Sequence, residues 1–162
     1  MVDSIIRLLK ELKDVYSRLY ELSQKKQRLI VENKAEEVSE IVKQEWELMS
    51  EAADLETLRG EEVERLIPGK KSGKIAFADI TALAGDAEKE ELKALSSELA
   101  NLLTEQKKIN DQNQSLIELH LEYMDYMINN VLREPQVSNI YGNSGTELDT
   151  DTKNKGIIDS EV

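Results

Sequence analysis

A short glycine- and lysine-rich stretch, GKKSGK at residues 69–74, carries residue types that could bind a phosphate group. A nucleotide-binding loop of this kind needs four residues between its glycines, a Ser or Thr after the lysine and a preceding strand. Here three residues separate the two glycines, and Ile75 stands where the magnesium-binding hydroxyl is needed. No strand is predicted before the stretch. We therefore interpret it as a solvated basic loop and expect no cofactor.

The other candidates for chemistry are isolated side chains. His120 is the only histidine and there is no cysteine, which excludes thiolate chemistry and a helical di-iron site built on Glu-x-x-His pairs. We interpret His120 as a residue at a core edge or an interface. Gln106 and Asn113 occupy core-type positions on the same predicted helix and are interpreted as setting helix register. With no catalytic or metal-binding residue predicted, the sequence favours a protein that is not an enzyme.

Composition and charge limit the fold and the partners. The chain has 162 residues, of which 33% are charged and 4% aromatic, and only two prolines, a mixture that favours one domain of long helices. A formal net charge of −12 would repel nucleic acid or an anionic membrane. The N-terminal stretch lacks the continuous apolar run of a signal peptide. Charged residues interrupt the most apolar segment, which argues against membrane insertion. We therefore expect a cytoplasmic protein.

Hydrophobic periodicity predicts that the chain opens with an antiparallel helical hairpin. The first helix is predicted from about residue 3 to 32 and the second from about 34 to 67. Asn33, with Glu36 three residues on, is predicted to begin the second helix through a capping box. Because so short a turn joins the two helices, they must pack antiparallel. The core-facing residues are predicted to be Ile5, Leu8, Leu12, Val15, Leu19, Leu22, Leu29, Val38, Ile41, Leu48, Ala52 and Leu55.

A third, longer helix is predicted from about residue 86 to 133, after a loop with one short helical turn near residues 80–83. Residues 134–162 are polar, turn-rich and aperiodic, and they are predicted to form a disordered tail. The expected fold class is all-α. The hairpin and the long third helix would form a three-helix coiled-coil bundle over residues 1–133, followed by the flexible tail.

The apolar face of the third helix widens toward its C-terminal end. On a helical wheel at roughly 100° per residue, the large apolar residues from Leu92 to Ile109 span roughly 120°, the width of one buried stripe. From Leu116 onward the arc spans roughly 240° by the same reckoning. If all three helices start level, the third would overhang the others by roughly 20 Å, from about residue 118. The segment with the fewest partners in its own chain would therefore have the most apolar surface.

Such a patch favours a binding site. Three interpretations are open: binding of a helix from another protein, burial in a homodimer, or an internal core if the third helix bends back. Met124 and Met127 suit a site that adapts to more than one partner, because the thioether repacks easily. The competing functional class is a structural coiled-coil protein that homodimerises through residues 116–132 and binds no other protein.

The C-terminal half also resembles a known family. The stretch INDQNQSLIELHLEYMDYMINNVL, followed shortly by IYGNSG, is similar to the FlgN family of flagellar type III export chaperones. In that family, two N-terminal helices precede a long third helix with an Asn-rich entry, which Asn110 and Asn113 match here. A Tyr-Gly-x-x-Gly element follows in the tail, matched by Tyr141, Gly142 and Gly145.

The resemblance implies a chaperone that keeps flagellar hook-associated (hook–filament junction) proteins soluble in the cytoplasm and delivers them to the flagellar export gate. It implies that the wide apolar face binds the helical C-terminal ends of this cargo. It also implies that Tyr141 and Gly142 dock on the cytoplasmic domain of the export gate. A homodimer of the cargo-free protein stays open. The residues predicted to bind cargo are Leu116, Leu119, Leu121, Tyr123, Met124, Tyr126, Met127, Ile128 and Val131.

Overall fold

Three long α-helices dominate this computed structural model, which describes residues 1–69 and 77–132. They are α1 (Asp3–Val31), α2 (Ala35–Leu66) and, after a short third helix, α4 (Asp86–Met127). No strand occurs within the described residues. The predicted all-α fold class, with a helical hairpin and a long further helix, is therefore confirmed.

Two shorter elements complete the described chain. The six-residue α3 (Phe77–Ala82) lies where the sequence predicts a helical turn, and a π-helix (Ile128–Leu132) directly follows α4. The chain divides into a compact unit, Met1–Tyr123, and a second unit that begins at Met124. The predicted tail (residues 134–162) and most of the glycine- and lysine-rich stretch lie outside the described residues.

The turn between α1 and α2 is closed by the C-terminus of α1. Asn33 has a φ of 57°, in the left-handed region, and its N–H donates to the carbonyl oxygen of Ile30 over 3.0 Å. The N–H of Lys34 donates to the carbonyl oxygen of Leu29, also over 3.0 Å. These two bonds form a Schellman motif, in which Asn often replaces Gly at the left-handed position. The predicted capping box of Asn33 and Glu36 is wrong, because Lys34 is the N-cap residue of α2 and makes no side-chain cap hydrogen bond.

Substitutions of Asn33 should show how much this backbone conformation matters. Asn33→Gly is expected to change the free energy of unfolding by less than about 1 kcal/mol, since Gly adopts a positive φ without strain. Asn33→Val should lower it by about 1–2 kcal/mol, because a β-branched side chain clashes with the backbone in the left-handed region. Urea denaturation followed by circular dichroism measures both. Glu32→Val is the matched control, since Glu32 has a φ of −79°; an equal loss there would contradict the assignment to backbone strain.

α1 packs against both other long helices. Its buried side chains recur at steps of three and four residues, as a heptad pattern predicts. Lys10 pairs with Glu91 of α4 over 2.6 Å, and Lys13 pairs with Glu98. The groups of α1 that hydrogen-bond to side chains of α4 find partners 83–90 residues further along the chain. Because this separation is nearly constant, α1 and α4 run parallel. α2 runs antiparallel to both.

Two apolar clusters build the core of the Met1–Tyr123 unit. The first joins the start of α1 to the end of α2, to α3 and to the start of α4, and the second joins the middle parts of the three long helices. Each buried Leu, Ile or Val contributes about 1.5–3 kcal/mol by leaving water, so these clusters dominate the stability of the unit. The first comprises Val2, Ile5, Ile6, Val63, Ile80, Ala84, Leu92 and Leu95, and the second Leu8, Leu12, Val15, Leu19, Leu48, Ala52, Leu55 and Leu99.

A layer of polar side chains follows the apolar clusters in the direction of the α1–α2 turn. Ser23 of α1 is fully buried. From α4, Gln106 Nε2 donates to Ser23 Oγ over 2.8 Å, and Asn113 Nδ2 donates to the carbonyl oxygen of Ser23 over 2.9 Å. These bonds join α1 and α4 at the level of Ser23, which fits the register role predicted for the two amides. We call the group the polar layer; it comprises Ser23, Lys26, Glu45, Gln106, Asn110 and Asn113.

The polar layer also ties α1 to α2. The Ser23 hydroxyl lies 3.0 Å from Glu45 Oε1 and 3.2 Å from Asn110 Oδ1, and its single proton serves one acceptor at a time. Lys26 Nζ donates to Glu45 Oε2 over 2.7 Å, with only 14% and 11% of the two side chains exposed. Lys26 is therefore accommodated in the polar layer by a buried carboxylate.

Candidate functional site

α4 loses its buried side chains toward its C-terminal end. Asn113 is the last residue of this helix that is buried among those described. Leu116 is half-buried. Leu119, Leu121 and Tyr123 are 62%, 60% and 56% exposed. Four of the residues predicted to bind cargo therefore lie on the part of α4 where its packing against the hairpin thins out.

Two apolar grooves lie between this part of α4 and the corner where α1 turns into α2. We call them the corner grooves. One encloses about 220 Å³ and the other about 430 Å³. Ile30 of α1 and His120 of α4 line both grooves and so lie between them. The smaller is lined further by Leu29, Asn33, Val38, Ile117 and Leu121, and the larger by Val31, Leu116, Leu119 and Tyr123.

Hydrogen-bonded partners on α1 and α4 are 83–90 residues apart, so Val31 at the end of α1 lies level with residues 114–121 of α4, where the overhang is predicted to begin. The corner grooves place Leu121 and Tyr123 beside Val31 and Asn33 of the hairpin turn. In the Met1–Tyr123 unit, the exposed apolar side chains near the C-terminal end of α4 therefore line the corner grooves.

Charge is confined to the rim of the corner grooves. Lys34, which lines the smaller groove, lies 2.8 Å from Glu32 and 3.8 Å from Glu37. The hydrogen bond from Lys34 lowers the pKa of the Glu32 carboxyl, and the same bond, together with the charges of both carboxylates, raises the pKa of Lys34. Glu32 and Lys34 are therefore both ionised near neutral pH, while the groove walls are aliphatic and aromatic apart from Asn33 and His120.

The second unit carries the remaining predicted cargo residues that the structure describes. Met124, Tyr126 and Ile128 are 46%, 58% and 50% exposed, and Met127 is half-buried. The side chain of Val131 lies outside the described residues, as do Tyr141 and Gly142.

The predicted α-helix over residues 86–133 gives way to a π-helix at Ile128–Leu132. Asn130 Nδ2 donates to the carbonyl oxygen of Tyr126 over 3.0 Å. A side-chain amide that occupies the carbonyl four residues back competes with the backbone bond that an α-helix needs there, which favours a change of helical pattern. Short π-helical segments occur often at functional sites.

A comparison with known families decides what kind of chain this is. The sequence model of the FlgN family, described as FlgN protein, matches residues 1–148. The chain belongs to the FlgN family. Members of this family are flagellar export chaperones, so the resemblance drawn from the sequence is confirmed. No curated protein and no solved structure matches the chain.

The match extends beyond the described residues. It includes Tyr141, Gly142 and Gly145, so the Tyr-Gly-x-x-Gly element falls inside the part of the chain that the family model covers. Residues 149–162 fall outside it. The family match therefore covers the helices and the element together, whereas the assignment of single residues to cargo or gate stays a prediction.

The FlgN-family chain also has a groove that its sequence did not predict, between α2 and α4. It encloses about 570 Å³, and side chains of α1 line it together with those of the other two helices. Burial raises the pKa of the Tyr16 hydroxyl in this groove, with the charge of Glu56 as a smaller cause. We call it the polar groove; its lining includes Tyr16, Lys26, Glu45, Met49, Asn113 and Ile117.

Two signals could have revealed the polar groove. Ser23 follows Leu19 by four residues, where the heptad of α1 offers a core position. Glu45 lies between Ile41 and Leu48 on the buried face of α2. A Ser and a Glu at core positions of two helices that pack together indicate a polar layer, but each one alone indicates a solvated residue.

The described part of this FlgN-family chain adds two observations. Within residues 1–69 and 77–132, no three His, Asp or Glu side chains cluster in a way that could hold a metal ion. None of the helices in these ranges combines the length and the apolar character that a membrane span requires.

Proposed function

We propose that this FlgN-family protein is a cytoplasmic chaperone that binds the helical C-terminal ends of flagellar hook-associated (hook–filament junction) proteins. It keeps them soluble, delivers them to the flagellar export gate and catalyses no reaction. The observation that carries the proposal is the exposure of Leu119, Leu121 and Tyr123 beside the corner grooves.

The chemistry of the surface fits a helical ligand. An amphipathic helix places apolar side chains three and four residues apart, and it docks by laying this stripe into an apolar groove. Here two grooves lie side by side, and their walls are aliphatic or aromatic apart from Asn33, His120 and the charged rim. Met124 and Met127 follow on the next turns of the chain and can repack around different cargo side chains. We call the predicted residues from Leu116 to Val131 the cargo surface.

A direct binding experiment tests this function. The purified chain should form a defined complex with a C-terminal helical fragment of a hook-associated protein from the same bacterium, measured by isothermal titration calorimetry. Light scattering of the free chain gives the oligomeric state. A stable dimer at every concentration, together with no binding of any such fragment, would favour the structural coiled-coil alternative that pairs through residues 116–132.

Delivery can be separated from cargo binding at Tyr141. The tyrosine lies beyond Pro135, in a polar stretch with few apolar neighbours in sequence. An aromatic side chain that anchors an interface contributes on the order of 2 kcal/mol or more. Tyr141→Ala is therefore expected to weaken binding to the cytoplasmic domain of the export gate by roughly 30-fold or more. Cargo affinity and melting temperature should stay near wild type.

Both affinities are measured on the same Tyr141→Ala protein, with Tyr141→Phe as the matched control that keeps the ring. Loss of cargo binding with gate binding intact would assign this tyrosine to the other partner.

A further inference from the structure

Two buried oxygens in the polar layer accept no hydrogen bond from any group in the described residues. They are Gln106 Oε1 and Asn113 Oδ1. Asn113 is only 2% exposed, and both residues line the polar groove. A buried acceptor left without a donor costs about 1–3 kcal/mol, so an unmet pair beside a groove is unusual.

None of the hydrogen bonds that the neighbouring donors make within the described residues reaches these two oxygens. Asn113 Nδ2 is held on the carbonyl oxygen of Ser23, and Gln106 Nε2 on Ser23 Oγ, so each amide has one fixed orientation. The Ser23 proton goes to Glu45 or Asn110, and Lys26 Nζ goes to Glu45. Each oxygen exposes less than 1 Å², so a donor that enters from the polar groove reaches it after a small shift of the surrounding side chains.

The remainder of the groove is suited to an apolar stripe. Leu19 and Ile117 line it, as does Met49, which is 54% exposed. Trp46, one turn before Met49 on α2, is 68% exposed. Leu19 lies one turn before Ser23 on α1, and Ile117 lies one turn after Asn113 on α4. A ligand that fits is therefore an apolar stripe with one polar group at its middle.

Charge defines the ligand further. α2 carries eleven acidic and three basic residues, and α4 carries ten acidic and four basic. Two acidic helices therefore flank the groove, while α1, with four acidic and seven basic residues, contributes Lys26, which pairs with Glu45, to its lining. They would repel a second copy of α2 or α4, and residues 133–162, with six acidic and three basic residues, are also a poor electrostatic match. A helix with basic edges is the complementary ligand.

We propose that the polar groove, which shares Ile117 with the smaller corner groove, is a second docking site that binds a basic amphipathic helix of another protein. Its apolar stripe packs on Met49 and Ile117. One Ser, Thr, Asn or Gln in that stripe donates to Asn113 Oδ1 or Gln106 Oε1. Its Lys and Arg residues lie along α2 and α4.

Synthetic peptides test this chemistry without knowledge of the natural partner. The probe is a helical peptide of about 18 residues with a Leu stripe, one central Gln and Lys at its edges. Three variants match it: Gln→Met, which keeps the length but loses the donor; Lys→Glu at the edges; and the same residues in an order that breaks the stripe. Fluorescence anisotropy of labelled peptides gives affinities, and Trp46, the only tryptophan, reports on the groove.

The basic peptide with Gln should bind and change the emission of Trp46. The Gln→Met peptide should bind roughly tenfold more weakly, which corresponds to one lost hydrogen bond. The acidic peptide and the scrambled peptide should bind at least roughly tenfold more weakly still.

Protein variants locate the binding site. Met49→Lys should weaken binding roughly tenfold through lost contact and like charge, whereas Met49→Leu should stay within about twofold. Leu119→Gln combined with Tyr123→Gln keeps the net charge and should leave peptide binding unchanged, because neither residue lines the polar groove.

Four results would overturn the proposal. They are no binding by any basic peptide, equal binding of the Gln and Met peptides, loss of binding in the Leu119/Tyr123 variant with Met49→Lys unaffected, and displacement of the bound peptide by a peptide of residues 133–162. The last would make the chain's own C-terminal segment the occupant. None of these results bears on whether the cargo surface binds hook-associated proteins, which the calorimetric experiment tests separately.

Discussion

Replacing Leu119 and Tyr123 together by Lys should lower the affinity for the C-terminal helix of a hook-associated protein by about 100-fold or more. Both side chains line the larger corner groove, and more than half of each is exposed. Centrally placed apolar and aromatic residues at an interface often contribute about 2 kcal/mol each, and a buried ammonium group adds a desolvation cost. Since Lys is a good helix former and neither residue is buried in the free chain, helix content should be unchanged.

Calorimetry with the cargo fragment measures the loss, and circular dichroism measures helicity and the melting temperature. Leu58→Lys combined with Leu103→Lys is the matched control, because these leucines are 50% and 43% exposed and lie outside both corner grooves. The control should bind cargo within about twofold of wild type. If the Leu119/Tyr123 variant unfolds instead, its side chains belong to an internal core and the cargo surface is misplaced.

The sequence predicted the long helices well because burial on α1 repeats with a period that only a helix satisfies. Ile5, Leu12 and Val15 are each about 1% exposed, and each lies on the predicted heptad face. The antiparallel hairpin followed from the shortness of the connection, which leaves two long helices no other way to pack.

The predicted cap at Asn33 failed because local sequence allows two solutions. Asn followed three residues later by Glu is compatible with the start of a helix, and Asn is equally compatible with the left-handed residue that ends one. With so few residues between α1 and α2, one Asn could serve either end. The choice depends on where the backbone bonds of the last turn of α1 close, which no local pattern specifies.

Only part of the candidate site could be predicted from the sequence: its exposed apolar residues could, but its grooves could not. Exposure of Leu119, Leu121 and Tyr123 follows from an apolar arc wider than two neighbouring helices can cover. The corner grooves were not predictable, because they depend on how far the hairpin turn reaches along α4. The polar groove depends on pairing Ser23 with Glu45, which are 22 residues apart and on different helices.

Glu45→Leu should lower the free energy of unfolding by about 3 kcal/mol, the largest single-residue effect on stability that we expect in the polar layer. The substitution leaves the Lys26 ammonium 14% exposed and without its carboxylate. Removing one partner of a buried ion pair costs about 3–5 kcal/mol, because the remaining charge is desolvated and uncompensated. We take the lower end because neither side chain is fully buried and Lys26 can reach water along the polar groove.

A double-mutant cycle separates the loss of the Lys26–Glu45 ion pair from the loss of side-chain packing. Lys26→Met combined with Glu45→Leu removes both charges and should restore most of the lost stability, since an apolar pair of similar volume often replaces a buried ion pair without loss. Urea denaturation of the four proteins of the cycle measures the coupling energy.

The surface ion pair between Arg18 and Glu51 provides the control, because it joins the same two helices but leaves both side chains about half exposed, at 52% and 51%. Glu51→Leu should change the free energy of unfolding by less than about 1 kcal/mol, since solvent screens an exposed pair. A loss from Glu45→Leu no larger than that from Glu51→Leu would mean that the polar layer is solvated in solution. In that case Asn113 and Gln106 would have water as a partner, and the polar groove would lose the unmet acceptors that give it its specificity.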